Sequence, residues 1–171
     1  MKTMKKLLAV LLVLCLFMSL SLPAFAANAQ YGTTKSFLKV MDREKIRYNY
    51  MGIDNDDDEE VDVNGVGDYM DKIAIKIFFD SDLDVVSLRS WRVIKFQKAD
   101  TAKVLEAVNK LNNENKFIKF VVDEEDLSVD AKIDCIVRDD AVAGEIVYDA
   151  VTYMVYSVDE AYPELKAFEK K

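Results

Sequence analysis

Apolar residues recur along this chain in two rhythms, and the switches between them mark out its elements. Phe37, Leu38 and Met41 sit among Lys39, Asp42, Arg43, Glu44 and Lys45, so the spacing from Ser36 predicts a short helix with one apolar face. Alternation then takes over, with Ile46, Tyr48 and Tyr50 on one side of a first strand. The run Asp54 to Glu60 (DNDDDEE) interrupts the patterning and predicts a solvated loop. Strand patterning resumes at Val61 and Val63, breaks at Gly65 and Gly67, and returns at Ile73, Ile75, Ile77 and Phe79. The glycines point to a hairpin turn or a bulge. Asp80, Ser81 and Asp82 form a polar turn before a third strand, Leu83 to about Phe96.

The second half is more regular. Asp100 is placed to cap a helix whose stripe is Val104, Leu105, Val108 and Leu111. Asn112, Asn113 and Asn115 are expected to stop it, since asparagine tolerates the left-handed conformation. In the next strand Ile118, Phe120 and Val122 form the more apolar face, opposite Phe117, Lys119 and Val121. In the last strand Val129, Ala131, Ile133, Cys135 and Val137 face one way, and mostly polar residues the other. That is a strand with one covered and one wet face. From Ala141 a long helix carries Val142, Ile146, Val147, Ala150, Val151, Met154, Val155 and Val158, and Pro163 is expected to end or kink it. The order α-β-β-β-α-β-β-α predicts an α+β two-layer sandwich, an antiparallel sheet with helices on one face.

The N-terminus changes the picture. Lys2, Lys5 and Lys6 precede an apolar run to about Leu22, and Ala24 and Ala26 supply small residues at −3 and −1 of a cleavage site. Residues 1–26 therefore read as a secretory signal peptide, 27–34 as a flexible lead-in and 35–171 as one domain, which predicts a secreted, extracellular or cell-envelope protein. Cleavage removes three lysines and no acid, leaving 20 basic against 31 acidic residues, a net of −11. Such a surface repels phosphate backbones and anionic headgroups, so nucleic acid and membrane surfaces are not expected as partners. Cys135 alone remains after cleavage, so no intrachain disulfide is expected.

Several stretches carry a family resemblance: FLKVMDREKIRYNY (37–50), KIAIKIFFDSD (72–82), VLEAVNKLNNENKFIKFVVDEED (104–126) and the closing helix. Together with the element order they resemble the YbjN family, whose fold is like that of type III secretion chaperones. The resemblance implies a non-enzymatic module, of the kind described as a sensory transduction regulator, that dimerises and binds other polypeptides. It implies no active-site residues. The signal peptide would make this a secreted member.

Chemistry is bounded mainly by what is missing. The chain has no histidine, which excludes Ser-His-Asp and Cys-His catalysis and imidazole-built zinc sites. Cys135, on an apolar strand face, is expected in the core. The carboxylates Asp123 to Asp126 cluster at a turn, where water holds ordinary pKa values, so no enzyme and no cofactor are expected. Against the spacing of a calcium loop, Asp54, Asp56 and Asp58 match positions 1, 3 and 5. Glu59 replaces the glycine of position 6, and Gly65 the bidentate glutamate of position 12. Asp54, Asp56, Asp58 and Glu60 are thus weak metal candidates on an alternative, cation-responsive reading. Trp91 is expected to fill the core rather than mark a contact on the sheet face.

The last helix is the better pointer. Its apolar arc spans roughly 200°, twice the usual stripe, and tyrosines widen it further. The surplus can be covered by the first helix and the tail after Pro163, or by a second copy of the chain. Tyr148, Val151, Val155 and Tyr156 are the candidate residues of a partner or homodimer surface, and binding of a protein or peptide is the leading functional expectation.

Overall fold

The computed structural model describes residues 28–80 and 84–170. The signal-peptide segment, and most of the turn expected at 80–82, lie outside the described residues. The elements are α1 (Gly32–Arg43), β1 (Tyr48–Ile53), β2 (Glu59–Gly65), β3 (Ile73–Phe79), β4 (Val85–Lys95), α2 (Thr101–Glu114), β5 (Lys119–Asp123), β6 (Ser128–Ile136) and α3 (Asp140–Leu165). Short 3-10 turns precede α2 and follow α3. The strands form one antiparallel sheet in the order β1-β2-β3-β4-β6-β5. The protein is an α+β sandwich, as its apolar alternation requires.

The alternation is read out faithfully in β3, where Ile73, Ile75, Ile77 and Phe79 are buried. They meet Phe37, Leu38 and Met41 of α1, Val104 and Val108 of α2, and Val147, Met154 and Val158 of α3 in one core. Ile118 and Phe120 are buried while Phe117 is exposed, as the two-faced pattern predicts. Deleting a side chain such as Phe120 from this interior would cost about 3–5 kcal/mol. Helices α1 and α3 pack very closely, because Gly144 lets the backbones approach. A Cβ there would lie 2.4 Å from the Ser36 carbonyl oxygen.

Five details differ from the sequence pattern, each for a local reason. Of the two readings of Gly65 and Gly67, the hairpin connection forms and the bulge does not, but the strand count differs. They flank a loop joining two strands, so four strands precede α2 rather than three. The segment expected as a flexible lead-in is tied down: α1 starts at Gly32, and the Gln30 and Tyr31 amides donate to the buried Glu59 carboxylate. Asp100 lies in the 3-10 turn and makes no side-chain cap. Asn115 ends α2 in an extended conformation, with φ −107° and not left-handed. Its neighbour Asn112 instead reaches across to β5, accepting from the Phe120 amide at 2.7 Å and donating to the Phe120 carbonyl at 2.9 Å. Pro163 sits inside α3 without ending it at that point. It lies in the last turn, and the helix ends two residues later at Leu165.

Candidate functional site

The acidic run folds into the β1–β2 hairpin. The Asp54 amide donates to the Asp58 carbonyl at 2.8 Å, and one Asp54 carboxylate oxygen accepts from the amides of Asp56 and Asp58 at 2.9 and 3.0 Å. Asp57 turns the chain with φ +64°. Burial raises the Asp58 pKa, and the negative charges of Asp80, Asp54, Asp56 and Asp57 raise it further. Glu60 is not part of this turn. It lies within β2 and pairs with Lys76 on the adjacent strand. The weak metal candidates are thus split, Asp54, Asp56 and Asp58 at the tip and Glu60 on the sheet. Among the described residues no group of three acidic or cysteine side chains converges to hold a metal ion.

The helix candidates have diverse fates. Val151 is buried, Tyr148 and Val155 are half-buried, and Tyr156 is 62 % exposed. All four line a groove of about 670 Å³ between α3 and the β2–β3 loop. That loop is shaped by a residue the sequence pattern did not single out. Asp159, buried on α3, accepts from the amides of Asp68, Tyr69 and Met70 at 2.7, 3.0 and 2.9 Å. A Cβ at Gly67 would lie 2.0 Å from this carboxylate, and one at Gly65 would lie 2.4 Å from Val155. The only legible signal was an aspartate within an otherwise apolar arc, facing a glycine pair far away in sequence.

A second groove, of about 660 Å³, lies against the opposite side of Thr152 and Tyr156 of α3, which line both. Ala150, Tyr153 and Tyr156 of α3 form one wall, Ile133 and Cys135 of β6 the floor, and Phe117 the end. Phe117, 72 % exposed, makes an edge contact with Tyr153 at 5.9 Å between centroids. Cys135 is therefore half-buried in a groove rather than sealed in the core. Burial, and secondarily the Asp134 charge, push its thiol pKa up, which keeps it protonated and a poor nucleophile. Asp134 and Asp149 stand at the rim.

The edge of the sheet completes this groove. β6 pairs with β4 along Val85 to Lys95, matching Ile136 back to Ser128. On its other side it pairs with β5 only over Ser128 to Lys132. From Ile133 to Ile136, β6 runs beyond its neighbour, and among the described residues no strand pairs with that backbone edge, beside the apolar wall of α3.

Residues 66–171, more than half of the chain, match the family model described as RTX iron-regulated protein FrpC. The chain belongs to the FrpC family. This overturns the YbjN resemblance, for no YbjN match accompanies it. The reason is physical: the pieces that suggested YbjN were helix and strand periodicities in a particular order, and any sandwich of this topology must show them. The FrpC segment begins at the β2–β3 loop and contains every residue lining the groove between α3 and β6. It excludes the acidic hairpin tip and α1. No curated protein matches the chain.

Proposed function

We propose that this FrpC-family chain is a non-catalytic interaction module that holds an extended polypeptide segment along the free edge of β6. The observation carrying this reading is that, among the described residues, Ile133–Ile136 has no strand partner on the β5 side, beside the α3 groove. An edge strand with unpaired amides and carbonyls is a template for strand addition. Backbone bonds along it supply affinity, and alternate side chains of the guest would enter the space between Tyr153, Ala150 and Ile133. Asp149 at the rim, on a chain of net charge −8, favours guests with basic residues beside the apolar ones.

The lysine-rich, apolar N-terminal stretch with its Ala-x-Ala site supports export, so the guest would be met outside the cytoplasm. Among the described residues no helix is long and apolar enough to cross a membrane.

Selection of random peptides on the purified protein tests the proposal. Alternating apolar sequences with flanking Lys or Arg should be enriched. Bound peptide should slow amide exchange in Ile133–Ile136, and Tyr153→Asp should weaken binding at least tenfold. Protection mapping to another surface, or affinity unchanged in Tyr153→Asp, sinks it. If no peptide is enriched and sedimentation shows a concentration-dependent dimer protected over the same residues, the occupant is a second copy of the chain instead.

A further inference from the structure

The face of the sheet away from the helices carries a pattern unrelated to the groove. Asn49, Asp62, Lys76, Arg89, Lys132 and Lys119 are successive Cα partners across all six strands. Four of them are cations on four adjacent strands, in a chain with an excess of acids. Lys76 is compensated by Glu60 and Asp62, and Arg89 by Asp134. Lys132 and Lys119 are not: they stand directly opposite one another with no acidic partner within ion-pairing distance among the described residues. Like charges opposed across a strand pair are destabilising. An anion laid over them would relieve that.

Beside this row β4 is deformed. The β4–β6 register breaks between Ser90 and Ile94, and Arg92 adopts φ +57°. The other non-glycine residues with positive φ lie in turns and loops; Arg92 is within a strand. Bulges of this kind re-aim side chains. Here it exposes two consecutive residues, Trp91 and Arg92, where strict alternation would bury one. Trp91 touches Phe78 edge-on at 5.9 Å and stays 46 % exposed, which corrects the expectation that it fills the core. Trp91, Arg92, Asp123, Asp126, Asp130 and Lys132 enclose a polar cleft of about 400 Å³. Its walls are held firmly. Arg92 and Lys95 pair with Asp126, and the buried Asp130 accepts from the Arg92 amide at 2.9 Å and the Ser128 hydroxyl at 3.3 Å.

We propose that this cleft binds an acidic sugar, as a unit of a uronate-type polysaccharide. An exposed indole suits the C–H face of a pyranose ring, whose partial positive charge meets the negative π face. Fixed carboxylates and a guanidinium around it suit hydroxyls, which both donate and accept. Lys132 and Lys119 suit the carboxylate. The cleft volume falls within the range of small-ligand sites and can enclose one or two sugar units. An acidic polypeptide would satisfy the lysines but has no need of the aromatic floor or the hydroxyl-matching walls.

Trp91 is the chain's sole tryptophan, so its emission reports the site directly. The purified protein is titrated with oligogalacturonate, oligoglucuronate and oligomannuronate, with their methyl esters, and with polyglutamate. At least one uronate should change Trp91 emission saturably. Its methyl ester should bind at least tenfold more weakly, and so should the uronate to Lys119→Gln/Lys132→Gln. That double variant should melt at or slightly above the wild-type temperature, since it removes a repulsion and no packing. Rising salt should weaken the charged ligand and not the residual binding of the ester. Failure of all three uronates at millimolar concentration overturns the proposal. Polyglutamate binding as tightly as the best uronate would assign the face to an acidic polypeptide and also overturn it. Neither outcome bears on the groove at the β6 edge, which is walled by α3 on the helix side of the sheet.

Discussion

At the scale of single residues, two buried carboxylates do structural work that a scan for reactive groups would misread. Glu59 gathers the Gln30 and Tyr31 amides and the Tyr50 hydroxyl, and Asp159 gathers three amides of the β2–β3 loop. Each ties backbone donors of a neighbouring segment to the core through a carboxylate. Asp159→Ala should cost roughly 2–3 kcal/mol in urea unfolding, by losing three bonds to a charged acceptor. Asp159→Asn should recover part of this, and an unchanged urea midpoint for the alanine variant would show the clamp to be dispensable.

Tyrosines give the chain an alkaline signature. Tyr48 is pushed up to about 12 by burial, then by its hydroxyl's bond to Asp42. Tyr50 and Tyr162 are raised for the same reasons, burial first and then Glu59 or Glu169. A pKa above the unfolded value near 10 means that the folded state holds the proton more tightly. The stabilisation is therefore complete below pH 10 and is lost as pH climbs towards 12. Unfolding midpoints should fall across that window, and Tyr48→Phe should flatten the fall. A variant as alkali-sensitive as the wild type would exclude Tyr48 as a contributor.

Among the elements, the acidic hairpin shows how far spacing alone can lead. Asp54, Asp56 and Asp58 have the intervals of a calcium loop, yet the Asp54 carboxylate is engaged by its own turn and Glu60 by Lys76. Titration calorimetry with Ca²⁺ is expected to give no saturable heat at millimolar concentration. A saturable isotherm abolished by Asp58→Asn would restore the cation-responsive reading. The raised Asp58 pKa carries a further consequence. A carboxyl held above its unfolded value stabilises the fold while protonated and penalises it once ionised. Asp58→Asn should therefore raise the melting temperature at pH 7 and have little effect at pH 3.

The helices and strands were legible because periodicity follows from burial on one face. Their ends were less so. Asp100 and the asparagines of α2 carry the right side chains for caps, but the fold uses a 3-10 turn at one end. At the other, Asn112 clasps β5, a strand eight residues further on. A side chain that can cap a helix can equally bond a neighbouring strand, and the choice belongs to packing.

For the whole molecule, the unusual breadth of the α3 apolar arc has its explanation in two neighbours. The sheet covers one side, while α1, drawn in at Gly144, covers another. Gly144→Val should cost about 2–3 kcal/mol by overpacking, since the Ser36 backbone cannot move without shifting α1. Chemical denaturation measures this directly, and a cost below about 0.5 kcal/mol would mean that α1 is loosely docked. What neither neighbour covers is the ridge of Tyr153 and Tyr156, and the grooves on its two flanks are the surface left for a partner.

The sequence by itself determined the fold class, the core and the limits on chemistry. Alternation in β3 and the stripes of α1 and α3 can be buried in only one way, and a chain without histidine has lost several mechanisms before it folds. Only the tertiary structure decided that β6 outruns β5, that four cations align across the sheet, and that a bulge turns Trp91 and Arg92 outward. These features are matters of register between strands distant in the chain. Periodicity tells a residue which face it occupies, but its opposite number is set by loops, clamps and bulges acting together. Asp159 facing Gly67 across ninety-odd positions is the plainest instance, with its carboxylate bonding amides up to 91 residues away.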